Sequence, residues 1–252
     1  MNDAEKLPFT SHLEELRKRL IRCCIAVAIG FAVSYTFKEK LFEILTRPLI
    51  QAMAPGGKLI YTGISEAFFT FLKVSFLSGV LLAVPVIMFE FWMFVAPGLY
   101  RDERKVILPI VILSSFFFLG GALFGYFVVF PFGFKYLLSF ATDTIQPFPS
   151  MKEYLSISST MLLAFGCVFE FPMVITFLAR LGIVSVDFLK ANRKYAILII
   201  FIVAAILTPT PDVVSQCLMA VPMVVLYEVS ILGARLFGKK SAENREADSP
   251  SG

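Results

Sequence analysis

Histidine is nearly missing from this chain: His12 is the single one in 252 residues. Its scarcity removes His-rich metal sites and His-centred catalytic triads, both of which need an imidazole at their centre. Charge is scarce too, at 17% Asp, Glu, Lys and Arg, where soluble domains carry about 25%. Cys23, Cys24, Cys167 and Cys217 all fall in apolar runs and form no Cys-x-x-Cys pair. That pattern indicates neither a disulfide framework nor a thiolate metal site. The four read instead as small hydrophobes in helix interfaces. Phosphate-loop spacing is missing, since Pro55-Gly56-Gly57-Lys58 lacks the earlier glycine and the following hydroxyl residue. There is no Gly-x-Ser-x-Gly elbow and no His-Glu-x-x-His helix. No enzyme chemistry and no cofactor or metal is expected, and no nucleic-acid partner.

What the chain has in abundance is apolar length. It is 58% hydrophobic, with a mean hydropathy of +0.79. Six runs are candidates to cross a bilayer: Leu20–Phe37, Phe68–Val95, Val106–Phe130, Leu155–Ala179, Tyr195–Leu207 and Val213–Tyr227. The last two are short for a hydrocarbon core of about 30 Å, so the bilayer is expected to thin around them. Most of the 23 Lys and Arg residues fall on the side of the N-terminus in this arrangement. The positive-inside rule therefore predicts both termini in the cytoplasm. The first span is not expected to be a cleaved signal, because no small-x-small site follows Phe37. The predicted fold is all-α: one six-span membrane domain over residues 1–237, opened by an amphipathic helix over 11–19. A charged, disordered cytoplasmic tail follows over 238–252. The proline-bearing loops Lys38–Ser65 and Pro131–Tyr154 are expected to form a cap over the outer face.

Several polar residues need an account. Ser11 and Glu14 have capping-box spacing, and Leu13, Leu16 and Leu20 share a stripe beyond them. Glu15 has two readings, an i,i+4 pair with Arg19 or an acidic contact for a basic ligand. Pro97-Gly98 should end the second span. Asp102 and Glu103 can start the third helix, and Glu103 can equally be a second acidic contact beside Glu15. Two separated carboxylates can accept two guanidinium groups in bidentate pairs. Lys73, Glu90 and Glu228 are expected to reach toward their nearest interfaces. Gly121-x-x-x-Gly125 reads as a close-packing face. Asp212, after Thr208-Pro209-Thr210-Pro211, reads first as a helix start. Glu170 is the one acid or base between Tyr154 and Ala179, placed where insertion costs roughly 2.5 kcal/mol or more. Its candidate uses are packing, an ion path or a docking point for another protein.

Taken in order, these segments resemble the TatC family, the polytopic subunit of the twin-arginine protein translocase. The resemblance is carried by Ser11-His12-Leu13-Glu14-Glu15-Leu16-Arg17-Lys18-Arg19-Leu20 and by Arg47-Pro48-Leu49. It continues through Phe94-Val95-Ala96-Pro97-Gly98-Leu99-Tyr100 with Glu103-Arg104, then Phe165-Gly166-x-x-Phe169-Glu170-x-Pro172. It closes at Thr208-Pro209-Thr210-Pro211-Asp212 with Ser215-Gln216. Thr210 is an extra residue beside the family's Thr-Pro-Pro-Asp form. The resemblance implies a concave, glove-like bundle in a bacterial inner membrane that acts as a non-enzymatic receptor for twin-arginine signal peptides of folded proteins. It implies Glu15 and Glu103 as the arginine contacts, with Arg17 and Phe94 beside them. Pro48 would shape the outer cap, Glu170 would face an intramembrane groove, and Asp212 would sit at the turn between short helices. Implied partners are TatA- and TatB-type single-span proteins, membrane lipids and further copies of the chain, with export driven by the proton-motive force. The alternative expectation is a proton- or ion-coupled small-solute transporter using Glu170 and Glu90, with helices broken at mid-membrane.

Overall fold

A computed structural model describes residues 3–53, 56–95, 107–142, 144, 146–208 and 212–237, with side chains from His12 onward, Ile107 excepted. Apolar runs without water to bond their amides must satisfy them internally, and nearly every described segment is helical for that reason. In chain order they are α1 (Asp3–Thr36), α2 (Lys38–Ala52), α3 (Glu66–Val95) and α4 (Ile107–Phe124). A π-helical turn (Gly125–Val129) leads into α5 (Phe130–Leu138), followed by α6 (Met151–Phe169) and α7 (Phe171–Arg180). The chain closes with α8 (Val186–Ala191), α9 (Arg193–Leu207) and α10 (Val213–Phe237).

Among the described residues, five stretches are long and apolar enough to cross a membrane: His12–Thr36, Glu66–Val95, Leu108–Leu138, Met151–Arg180 and Val213–Leu236. The expected fifth span corresponds to α9, whose 15 residues extend about 22 Å. The expected short sixth helix is a different matter. α10 has 25 residues and runs on to Phe237, because Ser230, Ile231 and Ala234 beyond Glu228 are buried in the bundle, while Arg193 meets the Glu228 carboxylate at 2.8 Å. The amphipathic segment is also revised. α1 begins at Asp3 and passes through Ser11 without a break, since extending an existing helix costs far less than nucleating one. The tail over 238–252, the Pro97-Gly98 stop and Pro209–Pro211 lie outside the described residues.

Apolar side chains fill the core, with Phe130, Phe165 and Leu155 fully buried, and they also cover the outside. Ser75, Ser114, Ser158 and Ser230 are fully buried, while Phe116, Ile112, Leu108 and Ile206 are more than half exposed. Two of these hydroxyls return to carbonyls of their own helix, Ser75 to Phe71 at 2.8 Å and Ser230 to Leu226 at 2.7 Å. Glycines decide where helices approach most closely. α1 and α3 run antiparallel and touch at Gly30 and Gly79, where a Cβ on Gly79 would lie 2.5 Å from the Phe31 nitrogen. The Gly121-x-x-x-Gly125 face is used as expected, against α6: a Cβ on Gly121 would lie 2.4 Å from the Phe165 carbonyl oxygen. Gly166 reciprocates by leaving room for the Phe118 ring. Cys24 and Cys167 are exposed on the bundle surface, not in helix interfaces as their small size suggested.

The two long loops do meet. Ile60 donates to the Pro149 carbonyl at 3.1 Å, and Met151 donates back to Ile60 at 2.9 Å. The Glu66 carboxylate gathers the Thr62, Gly63 and Lys152 amides and the Ser150 hydroxyl at 2.8 to 3.2 Å. Pro48 is buried within α2, and its ring nitrogen cannot donate to the Ile44 carbonyl four residues back. The Tyr126 hydroxyl takes that orphaned acceptor at 2.6 Å, and Tyr154 bonds the adjacent Leu45 carbonyl at 2.5 Å. Tyr126→Phe should therefore destabilise the protein by about 1 kcal/mol, measured by reversible unfolding in mixed detergent micelles. In a Pro48→Ala background the backbone regains its donor, so the same change should cost much less. An equal cost in both backgrounds would contradict the orphaned-carbonyl account.

Candidate functional site

The charged residues of α1 and the last turns of α3 converge at one end of the bundle. Glu15 and Arg19 stand four residues apart on α1, close enough to pair. Arg19 donates to Glu15 Oε1 through Nε at 3.1 Å and through Nη2. Its remaining edge reaches α3, where Nη1 meets Glu90 Oε2 at 3.0 Å. Arg22 completes the cluster, with Nη1 3.2 Å from Glu90 Oε1. The Glu90 side chain is only 6% exposed and that of Arg19 12%, against 35% for Glu15 and 61% for Arg22. A charge so far removed from water is tolerated because it is paired on both oxygens. The expectation that Glu90 simply reaches toward an interface is thus revised: it is the buried centre of an ion network. Glu14 pairs with Lys18 at 2.8 Å on the exposed flank.

Phe94, one helical turn beyond Glu90, stacks on His12 with ring centroids 4.4 Å apart and planes at 19°. The site thereby gains an aromatic wall joining α1 to α3. Arg17 is exposed on the same stretch of α1. Glu103 and Asp102 lie outside the described residues. Of the four expected arginine-site residues, the structure brings Glu15, Arg17 and Phe94 to one end. Sequence reasoning missed Glu90 and His12 as members of this region. The signal that could have found Glu90 was its own depth in an apolar run, the same argument that singled out Glu170.

Glu170 sits at the junction of α6 and α7, one residue before α7 begins with Phe171-Pro172. Pro172 withholds an amide, which is why the helix breaks here. The carboxyl atom Oε1 is buried without a hydrogen-bond partner among the described residues. Its polar surroundings are the Ser114 hydroxyl and the Phe118 backbone on α4. Ser114 itself accepts the Trp92 indole N–H at 2.8 Å, so this pocket is tied through Trp92 to the helix that carries Glu90. Two apolar grooves flank the break. One of about 330 Å³ lies between Pro172, Phe177, Pro109 and Gly233. The other, of about 190 Å³, lies between Phe171, Ile175, Ile199 and Met223.

Asp212 caps α10: its Oδ1 accepts the Ser215 amide at 2.8 Å. Gln216, a turn further on, donates to the Phe201 carbonyl of α9 at 2.9 Å and ties the two helices together. No group of three or more His, Cys, Asp or Glu that could hold a metal occurs among the described residues.

A bundle with an apolar outer surface, five membrane-length helices and buried paired charges defines a multi-pass helical membrane protein. The family model described as Sec-independent protein translocase protein (TatC) matches residues 11–222. A Sec-independent protein translocase protein TatC of Desulforapulum autotrophicum is 63% identical over 244 residues, covering 97% of this chain and 90% of that protein. The TatC of Escherichia coli K12 is 38% identical over 246 residues, covering 98% and 95%. A crystal structure described as the twin arginine translocase receptor TatC superposes with a TM-score of 0.78 at 38% identity, covering 90% of this chain and 99% of that one. The chain belongs to the TatC family, and is a component of a twin-arginine protein translocase rather than an enzyme. Membership of a protein translocase family displaces the small-solute transporter alternative. The capping geometry predicts that Asp212→Ala destabilises α10 by about 1 kcal/mol while Asp212→Asn is near neutral. Thermal unfolding of the purified variants checks this; equal loss in both would assign Asp212 a charge-dependent role instead.

Proposed function

We propose that this protein is the signal-peptide receptor of its translocase, and that Glu15 and Glu103 receive the two consecutive arginines. The observation that carries this reading is the partly exposed Glu15 carboxylate, already engaged by a guanidinium at the bundle end bearing Phe94 and Arg17. Arg19 displays the chemistry that a signal-peptide arginine would repeat, with two N–H donors on one carboxylate. A Lys ammonium is a point charge and cannot reproduce that fork. In this reading both termini lie in the cytoplasm of a bacterium, in a six-span inner-membrane topology where α9 is the short fifth span. Residues 1–237 act as one domain and 238–252 as a tail.

The apolar stretch of the signal peptide then lies deeper, against the helix break at Glu170 and its flanking grooves. TatA- and TatB-type single-span helices dock along α9 and α10, the bilayer thins around the short α9, and several copies of the chain assemble in one complex. Pro48 keeps the outer cap in shape through the Tyr126 bond, and Asp212 fixes the turn between the last two helices. Export draws on the proton-motive force and needs no nucleotide. Binding of a fluorescent twin-arginine peptide to the protein in lipid nanodiscs tests the site. Glu15→Gln and Glu103→Gln should each weaken it at least about tenfold, a loss of about 1.4 kcal/mol or more. Wild-type affinity in both variants would remove these carboxylates from the site. For Glu170, export in cells should survive Glu170→Gln and fall in Glu170→Ala; full export by Glu170→Ala would take it out of the mechanism.

A further inference from the structure

We infer that Arg19 and Glu90 form an internal gate on Glu15, and that this gate sets the preference for arginine over lysine. The inference rests on the reading of Glu15 as a guanidinium contact. Arg19 is the internal occupant of that contact. Both of its bonds to Glu15 fall on Oε1, so Arg19 leaves the second oxygen, Oε2, unused. An incoming cation must share or displace this guanidinium.

Displacement is costly for an arginine that is only 12% exposed, since a buried charge stripped of its partner is strongly destabilising. Glu90 lowers that cost. It already holds Arg19 by Nη1 at 3.0 Å from the far side, so Arg19 retains an anionic partner when it leaves Glu15. Arg22 keeps Glu90 oriented from the rim at 3.2 Å. The network therefore hands Arg19 from one carboxylate to the other without leaving it unpaired. A guanidinium, with a planar fork, can take both Glu15 oxygens and complete the transfer. An ammonium can settle on the unused Oε2, but it has no fork with which to take Oε1 from Arg19, so it does not drive the transfer and gains less. Glu90 and Arg19 act through Glu15 and are positioning residues, not peptide contacts.

The test uses full-length protein in nanodiscs and two fluorescent peptides that differ only in Arg-Arg against Lys-Lys. Glu90→Gln should weaken twin-arginine binding about tenfold, because Arg19 then has Glu15 as its sole carboxylate. Arg19→Gln should strengthen twin-lysine binding and reduce the Arg/Lys affinity ratio about tenfold. In the Arg19→Gln background, adding Glu90→Gln should have no further effect. Loss of binding from Glu90→Gln that persists in that background, or an unchanged Arg/Lys ratio in Arg19→Gln, overturns the gate. If Glu90→Gln does not assemble, Arg19→Lys keeps the charge but loses the fork; a reduced Arg/Lys ratio supports the gate and an unchanged one overturns it. Glu15→Gln separates the two levels of the argument. Binding that survives it defeats the receptor site and the gate together. Binding lost in Glu15→Gln, with a ratio untouched by the other variants, defeats the gate alone.

Discussion

The close approach of α1 to α3 at Gly30 and Gly79 is the contact on which the rest of the molecule depends. A side chain at either position would have to overlap the backbone of the opposite helix. Because the two helices touch there, their antiparallel course fixes what meets further along. Arg19 and Arg22 reach Glu90, and His12 reaches Phe94. The charged end of the bundle is thus a consequence of two missing side chains about three helical turns away. Helix contacts in a lipid solvent gain little from hydrophobic burial, so van der Waals fit at such small residues carries the association.

A second constraint acts through proline. In a medium without water, a carbonyl that loses its amide partner must find another donor. At Pro48 the donor is the Tyr126 hydroxyl, contributed by a different span, and the outer cap is pinned to the bundle as a result. At Pro172 the chain breaks instead, and the break falls beside Glu170. One residue type therefore produces a rigid tie in one place and a joint in another. Pro85 and Pro222, by contrast, lie inside α3 and α10 without ending either helix.

Much of this was legible in the residues. Apolar run length located the segments, because hydrocarbon thickness leaves few other ways to use them. Gly121 and Gly125 announced a packing face, and Asp212 a helix start. Legibility failed where a partner distant in sequence changes the meaning of a charge. Glu228 reads as an acid reaching toward its nearest interface, although it pairs with Arg193, 35 residues earlier. Glu90 looked like an interfacial acid, although its partners lie on α1, 68 and 71 residues earlier. Tyr126 and Tyr154 carried no signal, since nothing local marks a tyrosine as the donor for a proline-orphaned carbonyl. Ser11 misled in the opposite direction, because a good capping residue is also tolerated inside a helix that already exists.

In the proposed function, arginine recognition and the Glu170 region lie at two depths of one signal-peptide path. Photo-crosslinking from the peptide tests it most directly. One probe is placed beside the arginine pair and a second in the apolar stretch, and the attachment points on the protein are mapped by mass spectrometry. The first probe should attach near Glu15 and Phe94, and the second near Glu170 and the flanking α7 residues. A twin-lysine peptide should lose the first set of products. Attachment of the arginine-side probe at Glu170, or products near Glu15 that persist unchanged with twin lysine, would contradict it.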